Sequence, residues 1–111
     1  MPSDQFSQQY VIALTTLPAD GNVEQLAQQL VEEKLAACVS ILPPMRSVYR
    51  WKGSVERADE RQLLIKTTTD RLTDLEGRLR QLHPYDVPEF VVLPITQGSA
   101  PYLSWLSDST R

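Results

Sequence analysis

The chain has 111 residues, 41% of them hydrophobic and 23% charged, with a net charge of −3, which suits one globular domain with a real core but leaves no room for two. A net negative chain without a dense Lys/Arg run excludes a nucleic-acid binder that works through phosphate contacts, and no stretch approaches the 18 or so apolar residues of a membrane-spanning helix. Cys38 is the only cysteine, so no internal disulfide can form, and the cytoplasm is the expected compartment.

Residues 1–9 are polar, lack the apolar centre of a leader peptide and read as a flexible lead-in; residues 10–111 read as the single domain. The run Tyr10-Val11-Ile12-Ala13-Leu14-Thr15-Thr16 predicts a central strand covered on at least one face. After a turn over Pro18 to Asn22, Asn22 and Gln25 have the spacing of a capping box. Val23, Leu26, Ala27, Leu30 and Leu35 then mark one face of a helix running to about Lys34.

From Ala36 to Thr69 the pattern predicts one very long β-hairpin with its tip at Trp51-Lys52-Gly53-Ser54. Val39, Ile41, Met45, Tyr49 and Trp51 occupy alternate positions on one arm, interrupted at Pro43-Pro44 by an edge, bulge or bend. Two registers compete at the tip. A loop Lys52-Gly53-Ser54 sets Arg50 opposite Glu56 and Arg46 opposite Glu60, whereas Trp51-Lys52-Gly53 places the glycine for a G1 bulge. Arms of about 15 residues reach roughly 50 Å at 3.3 Å per residue, more than the ~35 Å width of a compact chain this long. The hairpin overhangs its own domain, and its Tyr49 and Trp51 call for cover by further copies of the chain.

Thr69 or Asp70 starts a second helix striped by Leu72, Leu75, Leu79 and Leu82, with Gly77 weakening it by about 1 kcal/mol relative to alanine. His83-Pro84 ends it. A last strand spans Glu89 to Ile95, and Ser99 caps a short helix carrying Leu103, Trp105 and Leu106. The order is βαββαβ plus a C-terminal helix: an α+β, ferredoxin-like arrangement with a long central hairpin.

Residues suited to chemistry are few. His83 is the lone histidine, placed in the last turn of a helix where the dipole favours a cation; Cys38 fits a small buried hydrophobe at a strand start. One chain cannot build a Cys/His metal site from these two, but an oligomer can add a neighbour's groups. With no nucleophile beside a base and no Gly-rich phosphate loop, the chain reads as a binder and not an enzyme. The loop from His83 to Glu89, stiffened by Pro84 and Pro88, presents Tyr85, Asp86 and Glu89 as cleft residues held in few conformations, with little entropy to lose on meeting a ligand.

The blocks Glu33-Lys34-Leu35-Ala36-Ala37-Cys38-Val39, Ser47-Val48-Tyr49-Arg50-Trp51-Lys52-Gly53, Lys66-Thr67-Thr68, His83-Pro84-Tyr85-Asp86-Val87-Pro88-Glu89 and Tyr102-Leu103-Ser104-Trp105-Leu106 together resemble the CutA family of divalent-cation tolerance proteins, over nearly the whole chain from Tyr10. The resemblance implies a ferredoxin-like subunit, a PII-like homotrimer with Tyr49 and Trp51 in its interface, and a role in tolerance to copper and other divalent metals. It implies binding of a metal or a small ligand at subunit clefts, and by residue type His83 and Cys38 are the candidate metal ligands; a PII-like signalling or scaffold module serving a protein partner is the alternative. Some bacterial members associate metal with a cysteine late in the first strand and a histidine pair before Pro-Tyr. The matching positions here are Thr15, Leu82 and His83, so one of the three presumed ligands is present.

Overall fold

The structure, a computed structural model, describes residues 9–111; the expected lead-in falls outside them except for Gln9. The elements are β1 (Tyr10–Pro18), α1 (Val23–Glu32), β2 (Cys38–Ile41), β3 (Met45–Trp51), β4 (Ser54–Thr68), α2 (Leu72–Leu82), β5 (Val91–Ile95) and α3 (Ala100–Ser109). All strand pairs are antiparallel, in the order β2-β4-β1-β5, and β3 pairs with β4 as the continuation of β2. This is the expected ferredoxin-like order.

Alternation along β1 decides the layers. Val11, Ala13, Thr15 and Leu17 are buried beneath α1 and α2, while Ile12, Leu14 and Thr16 lie half-exposed on the other face. The core joins Ala13, Leu17, Leu63 and Ile65 of the sheet to Leu26 and Leu30 of α1 and Leu75 and Leu79 of α2. On the opposite face α3 covers one end only, where the Ser107 hydroxyl donates to the Tyr10 hydroxyl at 3.0 Å. The remainder of that face is open, and Val91 and Leu93 there are 45% and 46% exposed.

The helix ends depart from expectation. Asn22 stands at the N-cap of α1 without a side-chain cap hydrogen bond, because its φ of −83° and ψ of 61° leave the extended region in which a cap side chain turns back on the first amides. Nor do Thr69 and Asp70 cap α2; they form a 3-10 turn with Arg71 that leads into it. The first helix closes before Lys34, which takes φ of 61° while its N–H donates to the Val31 carbonyl and that of Leu35 to the Leu30 carbonyl, a Schellman closure with lysine where glycine is usual. Ser99 caps α3 as expected, accepting from the Tyr102 N–H.

The hairpin corrects both proposed registers. Trp51 pairs with Ser54, so the loop is the two residues Lys52 and Gly53, both at positive φ (50° and 82°), the geometry of a type I′ turn that matches strand twist. Arg50 therefore faces Val55, and Arg46 faces Asp59 and binds it at 2.8 Å. Between β2 and β3, Leu42, Pro43 and Pro44 oppose only Arg61 and Gln62, since Ile41 pairs with Leu63 and Met45 with Glu60. That extra residue is a bulge, fastened by Leu42 N–H to the Gln62 carbonyl and Arg61 Nε to the Leu42 carbonyl at 2.9 Å. Its effect is to reverse the facing of the arm. Val39 and Ile41 pack on the helix-covered core, whereas Met45, Tyr49 and Trp51 lie with Glu60 and Gln62 on the open face.

Beyond Pro18, which pairs with Glu60, β4 has only β3 beside it, and the hairpin runs on as a two-stranded ribbon. The molecule measures 49 × 27 × 24 Å with a radius of gyration of 15.2 Å, against about 13 Å for a compact chain of this length. An isolated two-stranded ribbon is marginal in water, yet this one carries Tyr49 and Trp51 at 43% and 42% exposure.

Candidate functional site

Where the hairpin leaves the sheet, a cleft of about 640 Å³ opens on the uncovered face. Its floor is Thr16 of β1 with Glu60 and Gln62 of β4. One wall is Met45, Ser47, Tyr49 and Trp51 of β3, and the other is the loop from Tyr85 to Glu89. The three loop residues expected at a cleft, Tyr85, Asp86 and Glu89, all line it, and within one subunit the facing wall is the chain's own hairpin. No lysine or arginine is among the lining residues.

The loop is bound to the sheet through its first residues. The Tyr85 hydroxyl donates to Glu60 Oε2 at 2.7 Å. Burial, and then this carboxylate beside it, push the phenol pKa far above its usual 10. His83, only 8% exposed, places Nε2 at 2.7 Å from the Thr16 carbonyl and Nδ1 at 3.2 Å from the Tyr85 N–H. A carbonyl accepts and an amide donates, so Nε2 carries the proton and Nδ1 is the acceptor. Farther along, Gln62 Nε2 donates to the Thr15 carbonyl at 2.9 Å and lies 3.5 Å from Glu89 Oε1.

His83 therefore departs from the expected cationic residue of a helix end. It follows α2 with extended backbone, φ −80° and ψ 137°, and burial lowers its pKa, outweighing the opposing pull of the Thr16 carbonyl and the Glu60 charge. Because the unfolded chain then takes up a proton at higher pH than the folded one, stability is full above pH 6.5 and falls as the pH drops below it. Thermal melts between pH 7.5 and 5 are expected to show this loss, and His83→Gln to flatten it. The window is separate from that of Glu33, whose hydrogen bond with Arg78 depresses its pKa below 4.5. Equal pH dependence in parent and variant would contradict the assignment.

The candidate metal ligands are not brought together. Cys38 pairs with Lys66, which lies opposite Ile12, four residues from Thr16, or roughly 13 Å along the strand. Both nitrogens of His83 are already engaged. Thr15 is fully buried on the helix-covered face, its hydroxyl without a partner among the described residues, and Leu82 packs against the core. Among the described residues no three His, Cys, Asp or Glu side chains converge on a metal-sized space.

Glu60, Gln62, Thr16 and Met45 escaped the sequence reading as site residues. One of the two expected registers sets Glu60 opposite Arg46; the observed register gives Arg46 to Asp59 and turns Glu60 into the cleft. The signal lay in the prolines, since a bulge at Pro43-Pro44 changes which alternate residues share a face.

Residues 11–109 match the family described as CutA1 divalent ion tolerance protein. A protein of Thermus thermophilus named divalent-cation tolerance protein CutA is 48% identical over 99 residues, covering 89% of this chain and 96% of that protein. Among solved structures, CutA1 from Oryza sativa superposes with a TM-score of 0.89 at 42% identity, over 93% of this chain and 94% of the other. The PII-like protein CutA from Nostoc sp. PCC 7120 does so with a TM-score of 0.84 at 38% identity, over 91% and 97%. Other relatives bear the words chloroplastic (Arabidopsis thaliana) and periplasmic (Archaeoglobus fulgidus); among the described residues of this chain, no helix is long and apolar enough to cross a membrane.

Proposed function

The chain belongs to the CutA1 family of divalent ion tolerance proteins, and from that premise we propose that it works in the cytoplasm as a homotrimer that holds a cationic ligand in the hairpin cleft and acts by binding, without turnover. The observation that carries the reading is the charge of the cleft: Glu60, Asp86 and Glu89 line it and no basic residue does. The overhanging ribbon, with Tyr49 and Trp51 half-exposed, and the open apolar strip of Val91 and Leu93 support assembly. Copper at His83 or Cys38 is the poorer fit. A copper ion at His83 must displace one of two hydrogen bonds, and a single imidazole binds no tighter than about micromolar.

The test compares ligand classes by thermal shift. Mn(II) or an alkylammonium is expected to raise the melting temperature and inorganic phosphate to leave it unchanged, with the cation effect at least halved in Asp86→Asn/Glu89→Gln. Stabilisation by phosphate, or by no cation of either kind, would overturn the reading. The second reading, a PII-like module for a protein partner, draws on Val48 and Val55, 60% and 56% exposed on the far side of the ribbon. It expects indifference to cations and a partner lost on Val48→Glu.

A further inference from the structure

Glu60 is an unusual residue for a cleft floor. It is 7% exposed, yet among the described residues no lysine, arginine or histidine forms a salt bridge with it, and the only hydrogen bond to its side chain is the one from Tyr85 to Oε2. A carboxylate withdrawn from water is unfavourable unless a cation or several donors neutralise it. One phenol supplies a single donor, and among the described residues no hydrogen bond reaches Oε1.

The surroundings narrow the kind of cation. A bare divalent ion asks for four or more oxygen, nitrogen or sulfur ligands at short range, and no such group converges among the described residues. An organic ammonium asks for less: one or two acceptors for its N–H groups and aromatic faces for its weakly hydrated body. The Tyr85 ring stands directly against Glu60 and Tyr49 lines the same cleft, whereas Trp51, paired with Ser54 and so roughly 20 Å along the ribbon from Glu60, lies at its far end. A second carboxylate lies within reach. Gln62, two residues from Glu60 and so roughly 7 Å along the same face, approaches Glu89 Oε1 at 3.5 Å.

We propose that the cleft binds a linear alkyl diammonium cation, with one ammonium on Glu60 beside the ring of Tyr85, the chain across Met45 and Gln62, and the other ammonium at Glu89. The proposal rests on the cationic-ligand reading above and names its ligand class. Two carboxylates at the ends with Met45 between them give the selectivity: a diamine engages both ends, whereas a monoamine or a single metal ion engages only one.

Calorimetric titration of the full-length protein with 1,4-diaminobutane, butylamine and Mn(II) decides it. The diamine is expected to bind at least tenfold tighter than butylamine. Glu60→Gln, whose amide oxygen still accepts from Tyr85, is expected to weaken the diamine at least tenfold without a change in native mass. Glu89→Gln, farther from the packed core, provides the second reading by removing the preference for diamine over monoamine. Diamine affinity unchanged in both variants, or no preference for diamine in the parent, overturns the proposal. Mn(II) binding that depends on Asp86 and Glu89, with no diamine binding, overturns it while leaving the broader cationic reading in place; absence of both defeats the two together.

Discussion

Trp51→Ala is expected to abolish the proposed trimer and leave a monomer at micromolar concentration. Within one subunit Trp51 is 42% exposed and Tyr49 43%, so more than half of the Trp51 surface is already covered and truncation in an isolated chain costs about 2 to 3 kcal/mol. If neighbouring subunits enclose the ring, the same change deletes a packed aromatic at each interface, about 3 to 5 kcal/mol per subunit, and every 1.4 kcal/mol is a factor of ten in an association constant. The loss of association, more than the size of the stability change, therefore reports where the ring sits. Sedimentation velocity over a dilution series checks it: a single-chain species is expected for the variant, and a parent-like profile with unchanged melting would contradict burial of Trp51.

Leu75→Ala should act on the subunit instead. Leu75 has no exposed surface and stands in the core with Leu79, Leu30, Leu63 and Ile65, joining α2 to the sheet. Losing a fully enclosed leucine leaves a cavity that the rigid surroundings close only in part, at a cost of about 3 kcal/mol. Denaturant unfolding should move to lower concentration with the slope unchanged, while native mass stays that of the parent. A loss below about 1 kcal/mol would mean that the helix and sheet can close the gap. The pair of variants separates the surface that builds the assembly from the interior that builds the chain.

The parts of this fold legible in the sequence are those set by local chemistry. Apolar runs and stripes located β1, the face of α1 and the Leu72 to Leu82 face of α2, and Ser99 capped its helix as its side chain dictates. What escaped was decided at long range. The two prolines announced an irregularity, but whether it adds a residue depends on how Ile41 and Met45 separately meet β4, and that parity decided the facing of Met45, Tyr49 and Trp51. His83 read as a helix-end cation because the Thr16 carbonyl that fixes its tautomer lies 67 residues away in the chain. The cleft loop was legible because Pro84 and Pro88 restrict its backbone whatever surrounds it. Glu60 was not, because only the register turns it inward.

The claim beneath all of this is that the ribbon and the open sheet face are surfaces for further copies of the chain. Light scattering coupled to size exclusion at micromolar concentration tests it most directly: a particle of about 38 kDa, three chains of 12.6 kDa each, is the predicted result, and a stable 12.6 kDa monomer would contradict it.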